Sequence, residues 1–337
     1  MGAFTPLAKP ELSKKAIRYA NDAMRSGWLT HRGNYYKKFE NRFSLEAGMP
    51  SLFCTSGTAA LHLALLAAGI GPGDEVIVPD LTFGATATAV IHTGAMPVLV
   101  DVENYLISPE SILDAITERT KAIIPVHLYG LECDMESIKA IGRDYGLWII
   151  EDSCEALGMV QPSGHFACFS FFANKTMTTG EGGMVCTNDG EFYNRARRFR
   201  DGGFDSDYEY TIPGLNYRAT NIQAAIGYAE MELLQEKVDR RLEVAQHYKD
   251  AIDGDGKWLF VAKSKDPRSL AKLLRKHKIE SRPVFKPLHT TSIFQSNQRF
   301  PNSMKLWQSG LCLPTGDHLS DEVVDKIITL VKEHECQ

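Results

Sequence analysis

The sequence predicts an α/β protein in which helices cover both faces of a mainly parallel sheet. Between residues 51 and 188, short apolar runs alternate with stretches of helical length. The runs are continuously apolar, which is typical of strands buried on both faces of a sheet. Several helical stretches end at glycine, the residue that most readily adopts the left-handed conformation found at helix C-termini.

Each apolar run predicts one strand of a seven-stranded sheet. In chain order the runs are SLFCT, EVIVP, MPVLVDV, KAIIPVHLYG, LWIIED, ACFSFF and GMVCT. The stretches between them predict helices, namely GTAALHLALLAAG, GATATAVIHTG, PESILDAITERT and DMESIKAIGRDYG. Regular alternation of strands and helices favours a layered α/β domain.

Two further regions flank this pattern. SKKAIRYANDAMRSG predicts a separate leading helix, and residues 217–252 predict one long helix. After the turn-rich DGDGK the sequence pattern predicts short strands and helices. The last of these is the amphipathic helix SDEVVDKIITLVKEH. We therefore expect a large domain over residues 1–235 and a smaller α+β domain over residues 236–337.

Composition excludes several classes of protein. The net charge of −5 provides no positive surface for a nucleic-acid backbone, and no apolar run approaches the roughly 20 residues of a membrane span. The seven cysteines are odd in number, lie mostly among apolar residues and include no Cys-x-x-Cys pair. They predict reduced thiols and no structural metal site. A cytoplasmic enzyme is the expected class.

A turn of small residues joins the run SLFCT to the next helical stretch. Ser56, Gly57 and Thr58 stand where that helix would begin. Free N–H groups at a helix start, with hydroxyls nearby and a glycine that permits close approach, form a site for phosphate. Alternatively, Ser56 or Thr58 only caps the helix.

Two carboxylates follow the run LWIIED. Asp152 falls where the strand would end, and strand ends form the ligand-binding edge of an open α/β sheet. A buried carboxylate there requires a compensating cation. Glu155, three residues later, could reach the same site. Alternatively, both residues cap a helix over SCEALG.

A single lysine lies in the glycine-rich segment NKTMTTGEGGMV. Lys175 follows the strand-like CFSFF, so it could meet Asp152 at one edge of the sheet. A surface loop is the simplest alternative, since lysine is usually exposed. Pyridoxal phosphate requires a lysine for a Schiff base, an acidic partner for its ring nitrogen and a phosphate site. All three occur here in one domain, which favours this cofactor.

The chain resembles a known family over nearly its whole length. The blocks SGTAALHLALLAAGIGPGDEVIVP, DLTFGATATAV, IPVHLYG, IEDSCEALG, FSFFANKTMTTGEGGMV, NYRATNIQAAIGYAEME and SRPVFKPLH are similar to those of the DegT/DnrJ nucleotide-sugar aminotransferases. These are fold-type I, pyridoxal-phosphate-dependent enzymes. Within the family, the lysine loop is most similar to the perosamine synthase type, which aminates carbon 4 of a nucleotide-linked 4-keto-6-deoxy sugar.

The resemblance implies a role for each matching residue. Lys175 would hold the cofactor as a Schiff base and move protons, Asp152 would pair with its ring nitrogen, and Phe83 would stack on the ring. The alternative for Phe83 is an ordinary core position. Glu155 would lie beside the cofactor and the sugar. His289 would contact the substrate, although a lone histidine is as often structural.

The resemblance also implies where the phosphate binds and that the enzyme is a dimer. Ser56, Gly57, Thr58 and Ser170 would hold the phosphate, joined by Asn216 of the neighbouring subunit. A homodimer with shared active sites would then be required for activity. Two segments depart from the family pattern: MVQPSGHFAC is shorter than usual, and DGDGK replaces a longer stretch. Both leave the cofactor residues in place and put the substrate contacts in doubt.

The expected reaction moves an amino group from L-glutamate to the keto carbon of the sugar. Carbon 4 of GDP-4-keto-6-deoxymannose is favoured, giving GDP-perosamine for polysaccharide or O-antigen synthesis. A dTDP-linked sugar and carbon 3 are alternatives. A sugar dehydrase is disfavoured, because those relatives have histidine in place of the lysine at 175. An idle sensor or binding protein with the same fold is the alternative from another functional class.

Overall fold

The computed structural model describes residues 4–204 and 207–336. The strands are β1 Ser51–Cys54, β2 Glu75–Pro79, β3 Met96–Val100, β4 Val102–Glu103, β5 Leu106–Ile107, β6 Thr120–Ile123, β7 Trp148–Asp152, β8 Phe166–Ser170, β9 Gly183–Cys186, β10 Gly254–Asp255, β11 Phe260–Lys263, β12 Arg282–Pro283 and β13 Gly310–Leu313. The helices are α1 Lys14–Arg25, α2 Asn34–Ala47, α3 Gly57–Ala67, α4 Ala85–His92, α5 Pro109–Ala115, α6 Met135–Tyr145, α7 Gly190–Arg200, α8 Asn221–Glu230, α9 Leu234–Ala251, α10 Pro267–Lys276, α11 Pro301–Ser309 and α12 Asp321–Glu335.

The large sheet confirms the predicted α/β class. Its seven strands lie in the order β1-β9-β8-β7-β6-β2-β3, and each forms from one of the seven apolar runs. All neighbours from β8 to β3 are parallel, whereas β9 runs antiparallel to both β1 and β8. The carboxyl ends of β1, β2, β6, β7 and β8 therefore lie at one edge of the sheet.

Apolar side chains pack on both faces of the sheet, as the continuous runs predict. In β1, Leu52 joins the core cluster of α3, whereas its neighbour Phe53 joins the cluster of α2 and α8. In β7, Ile150 packs with α3 and Ile149 packs with α6. Successive side chains point to opposite faces, so both positions of each pair must be apolar.

The single long helix predicted over residues 217–252 is wrong, because the structure has two helices there. Thr220 caps the start of α8 with its side chain, and the segment before it is not helical. The N–H of Leu233 donates to the carbonyl of Glu230 at 3.0 Å, a tight turn that ends α8 before α9 begins. The buried Glu230 then accepts from Lys237 at 2.6 Å across the break.

The C-terminal part of the chain forms a second, smaller sheet. Its order is β10-β11-β13-β12 with antiparallel pairs, and α10 and α12 pack with it in one core cluster. Thr5, near the N-terminus, pairs with Ile279 of this region. The domain boundary at residue 235 remains a prediction. None of the helices within the described ranges is long and apolar enough to cross a membrane.

Candidate active site

A cavity of about 320 Å³ lies at the carboxyl edge of the large sheet. Eight of the ten predicted site residues line it: Ser56, Gly57, Thr58, Phe83, Asp152, Glu155, Ser170 and Lys175. They come from four strand ends and the loops that follow, which is why residues distant in sequence meet here. A larger hollow of about 710 Å³ lies beside α2 and α7, away from these residues.

The turn after β1 has the geometry of a phosphate site. Ser56 caps α3, because its hydroxyl accepts from the N–H of Ala59 at 3.1 Å, yet it also lines the cavity. The capping and binding interpretations are therefore compatible. The next N–H groups, of Gly57 and Thr58, belong to the first turn of α3 and have no partner within the helix. A phosphate fits beside them.

Gly57 is required by the close packing of this turn. A methyl group at this position would lie 2.8 Å from the Cys154 sulfur and 2.9 Å from the Ser170 Cβ. Glycine thus brings the start of α3 against the end of β8. As a result the Ser170 hydroxyl lies on the same side of the cavity as the N–H groups of α3, an arrangement that suits a phosphate.

Asp152 is fixed by two hydrogen bonds at the end of β7. One carboxylate oxygen accepts from the Thr86 hydroxyl at 2.8 Å, and the other accepts from the Cys154 N–H at 3.2 Å. No helix follows it, since residues 153–159 form turns, so the capping interpretation is wrong. Asp152 is buried and lines the cavity. Such a rigid carboxylate can hold a protonated ring nitrogen.

Lys175 lies in the cavity and not on an exposed loop. Its side chain is 14% exposed, and its Nζ atom lies 3.4 Å from a carboxylate oxygen of Glu155. On another side, the Nζ atom lies 4.2 Å from the ring centroid of Trp258. The loop interpretation is therefore wrong. The amine is positioned to react with an aldehyde in the cavity.

Glu155 is a buried carboxyl with two neighbours. Its second oxygen accepts from the backbone N–H of Tyr129 at 3.0 Å. Burial raises the pKa of the Glu155 carboxyl, and the attraction of the Lys175 ammonium and the Tyr129 hydrogen bond oppose this rise only in part. Glu155 can therefore accept or return a proton close to the lysine amine.

Two aromatic rings form the mouth of the cavity. Phe83 is 61% exposed, and its ring centroid lies 5.8 Å from that of Phe285. The alternative of an ordinary core position for Phe83 is therefore wrong. An exposed ring on a cavity wall can stack on a flat cofactor, although that role remains a prediction.

The other two predicted residues lie outside this cavity lining. Asn216 is exposed, and its side-chain oxygen accepts from Arg218 at 3.1 Å. His289 is bonded twice to the buried Asp80, through its backbone N–H at 2.8 Å and its Nδ1 atom at 2.7 Å. These contacts give His289 a structural partner, and its contact with substrate remains a prediction.

Among the lining residues that were missed from the sequence, three come from the C-terminal part of the chain: Trp258, Arg282 and Phe285. Arg282 and Phe285 occur in the segment SRPVFKPLH. An arginine in this proline-containing segment could have indicated a binding residue. Trp258 follows DGDGK, and nothing in its local pattern indicates an active site. Its indole N–H is buried and has no acceptor among the described residues.

Comparison with known proteins identifies the family. Residues 10–332 match the DegT/DnrJ/EryC1/StrS aminotransferase family. The chain belongs to this family. The chain is 39% identical to a GDP-perosamine synthase of Escherichia coli O157:H7, with 98% of each chain covered. It is 37% identical to a GDP-perosamine synthase of Caulobacter vibrioides, with 97% of each covered.

Solved structures of the DegT/DnrJ/EryC1/StrS family have the same fold. The pyridoxal-phosphate form of the putative sugar aminotransferase Spr1654 from Streptococcus pneumoniae superimposes with a TM-score of 0.92. It is 28% identical, with 99% of both chains covered. The predicted fold class, the aminotransferase activity and the pyridoxal phosphate cofactor are confirmed. The cavity residues described above fit that cofactor.

Proposed function

We propose that the enzyme transfers the amino group of L-glutamate to carbon 4 of a GDP-linked 4-keto-6-deoxy sugar, converting GDP-4-keto-6-deoxymannose to GDP-perosamine. The observation that carries the proposal is the placement of Lys175, Asp152 and the start of α3 around one cavity. The sugar and the nucleotide rest on the GDP-perosamine synthases that the chain resembles at 39% and 37% identity.

The overall exchange balances without any further reactant. The α-carbon of L-glutamate is oxidised by two electrons and becomes the keto carbon of 2-oxoglutarate. Carbon 4 of the sugar is reduced by two electrons, loses its keto oxygen as water and gains the amino group, while one water supplies the keto oxygen of 2-oxoglutarate. Bound pyridoxal phosphate supplies the aldehyde that carries the amino group and the ring that accepts electrons.

Residues of the sheet edge hold that cofactor and move protons. The N–H groups of Gly57 and Thr58, with the Ser170 hydroxyl, bind its phosphate. The Asp152 carboxylate, kept in place by Thr86, holds the ring nitrogen in its protonated form. A carboxylate beside the nitrogen favours the positive charge there, which makes the ring a better electron acceptor.

Lys175 is the acid and base of both half-reactions. Its Nζ atom takes the proton from the α-carbon of the donor and later returns a proton to carbon 4 of the sugar. Glu155, 3.4 Å away, is close enough to stabilise the ammonium between these two transfers. The cavity lining is mainly apolar at this point, with Trp258 and Phe285 limiting the access of water.

Arg282 supports an acidic amino donor. It lines the same cavity from the smaller domain, and a guanidinium binds a carboxylate with two parallel hydrogen bonds. We therefore assign Arg282 to a carboxylate of L-glutamate. Because the sugar nucleotide and the donor occupy the site in turn, the same side chain is free to contact the diphosphate in the second half-reaction.

We further propose that the enzyme is a homodimer with shared active sites. Asn216 is exposed and lies outside the cavity lining of its own chain, which suits a residue that serves a neighbouring subunit. A cytoplasmic location remains a prediction.

A substrate matrix tests the proposed reaction. The purified enzyme, loaded with pyridoxal phosphate, is supplied with L-glutamate and either the GDP-linked or the dTDP-linked 4-keto-6-deoxy sugar. We expect 2-oxoglutarate and amino sugar in equal amounts with the GDP substrate, and nuclear magnetic resonance should place the amine on carbon 4. Turnover only with the dTDP sugar, or an amine on carbon 3, would support the alternatives. Absence of product with both sugars would contradict the proposed substrates.

A further inference from the structure

Trp258 contacts the lysine that carries the chemistry, although it comes from the other domain. The Lys175 Nζ atom lies 4.2 Å from the indole centroid and 3.4 Å from the Glu155 carboxylate, so the amine is held between a ring face and an anion. Trp258 itself is only 2% exposed. A fully packed indole cannot move aside easily, so this contact is a fixed part of the cavity.

Backbone contacts hold Trp258 in that position. The carbonyl of Tyr129 accepts from the N–H groups of both Lys257 and Trp258, each at 2.8 Å. The carbonyl of Trp258 accepts from the buried guanidinium of Arg241 at 3.1 Å. The backbone of Trp258 is thus fixed on both sides of its α-carbon, and its ring is directed onto Lys175.

The same residue, Tyr129, also holds the group on the other side of the amine. Its N–H donates to Glu155 while its carbonyl accepts from Trp258. Tyr129 adopts a left-handed conformation with φ of 56°, which is uncommon for a residue with a side chain and persists where surrounding contacts fix it.

The following glycine permits this close approach of the two domains. A methyl group on Gly130 would lie 2.8 Å from the backbone nitrogen of Trp258. Only glycine therefore lets the turn after β6 contact the segment before β11. The segments LYG (residues 128–130) and GKW (residues 256–258) thus contact each other through their backbones.

We propose that Trp258 is a positioning residue for Lys175, which holds the free amine against Glu155 and toward the cavity. The proposal rests on the function assigned to Lys175 above. It explains how the smaller domain affects chemistry that takes place at the edge of the large sheet. The amine is free of the cofactor while it moves protons in both half-reactions, and during that interval its position is set by Trp258 and Glu155.

Two reactions of the lysine should respond in opposite directions when the ring is removed. An aromatic face attracts the Nζ group and keeps it in place, so loss of the ring lets the amine leave this position and meet solvent more often. A small, freely diffusing reagent should then modify Lys175 faster. Pyridoxal phosphate, in contrast, must meet the amine at one place in the cavity, and a lysine that is no longer held there should react more slowly.

The experiment compares Trp258→Leu and Trp258→Phe with the unmodified protein. In protein stripped of cofactor, acetic anhydride labelling of Lys175 is followed by peptide mass spectrometry, with the exposed Lys121 as internal reference. Attachment of pyridoxal phosphate is followed by visible absorption. For Trp258→Leu we expect labelling about three- to thirtyfold faster and attachment about tenfold slower. Trp258→Phe keeps a smaller ring and should give intermediate values.

Trp148 provides the matched control. It packs against His165 and Phe192 and does not line the cavity, so Trp148→Phe should leave both rates unchanged. Rates that are unchanged in the Trp258 variants, or that move in the same direction, would overturn the proposal. If Trp258→Leu does not fold, Trp258→Phe decides. If the unmodified protein attaches no cofactor, the proposed function fails, and the labelling rates alone still decide whether Trp258 holds Lys175.

Discussion

The two walls of the cavity are built in different ways. The sheet-edge wall comprises Ser56, Gly57, Thr58, Asp152, Ser170 and Lys175, and the small-domain wall comprises Trp258, Arg282 and Phe285. Each residue of the sheet-edge wall lies at a strand end or a helix start, except Lys175, which lies in the loop that follows β8. In the small-domain wall, Trp258 and Phe285 are placed by hydrogen bonds with Tyr129, which is distant from both in sequence.

Because the two walls differ in their residues, they can serve different functions. The sheet-edge wall offers an amine, a rigid carboxylate and free N–H groups, which in the proposed function bind the cofactor and move protons. The small-domain wall offers a ring face, a cation and an aromatic mouth, which can position and select. Changes in the first wall should therefore abolish chemistry, whereas changes in the second should alter affinity and geometry.

The largest expected effect is that of Lys175→Ala. Loss of the amine removes the acid and base of both half-reactions, so turnover should fall by at least about a thousandfold. The fold should persist, because the side chain makes one 3.4 Å ion pair and one ring contact. Product formation and the melting temperature are measured together. Lys121→Ala, at an exposed position on β6, is the control. Substantial turnover in Lys175→Ala would remove the lysine from the mechanism.

The second effect concerns the phosphate site. Gly57→Ala places a methyl group against Cys154 and Ser170, so the start of α3 must shift, and affinity for pyridoxal phosphate should fall about ten- to a hundredfold. Gly190 is a matched control, because it is also the first residue of a helix but has no atom within 4 Å of an added methyl group. Cofactor titration should show normal affinity in Gly190→Ala. Equal affinity in both variants would contradict a phosphate site at this turn.

The sheet-edge wall could be predicted from the sequence because its signals are local. The run LWIIED predicts a strand, its last residue is Asp152, and parallel strands bring their carboxyl ends to one edge. Likewise the turn at Gly57 is recognisable from the small residues between a strand and a helix. The hydrophobic pattern and the turn residues within a few positions of each site residue suffice to place it, so no knowledge of distant contacts is needed.

The small-domain wall could not be predicted in this way. Trp258 reaches Lys175 only because Gly130 lets two backbones approach, and neither residue reveals this contact in its own segment. The break between α8 and α9 escaped prediction for a related reason. Residues around Glu230 favour helix throughout, and the turn there is stabilised by its contact with Lys237, which periodicity does not reveal.

The third prediction concerns the small-domain wall, where a substitution should affect substrate binding more than the chemical step. Arg282→Met removes the guanidinium but keeps an apolar chain, so the KM for L-glutamate should rise about ten- to a hundredfold, with a smaller change in kcat. Arg268→Met, at an exposed position on α10, is the control. A fall in kcat at unchanged KM would place Arg282 in the chemical step and would weaken the distinction between the two walls.

The smallest expected effect lies where the walls meet, at Glu155. Burial raises the pKa of its carboxyl above the usual range, so the folded protein binds a proton there more readily than the unfolded chain does. The contribution of Glu155 to stability is therefore fully present at acidic pH and is lost as pH rises through the raised pKa. Glutamine at this position does not ionise and avoids that loss.

Glu155→Gln should therefore match the unmodified protein in acid and be more stable, by a few degrees in melting temperature, near neutral and alkaline pH. Thermal unfolding of the cofactor-free protein across that pH range measures the difference. Glu118→Gln, at an exposed position before β6, is the control and should show no such trend. If Glu155→Gln is less stable at every pH, the attraction between Glu155 and Lys175 outweighs the cost of burying the carboxylate. The position of the Lys175 amine would then depend more on the Glu155 carboxylate than on the ring of Trp258.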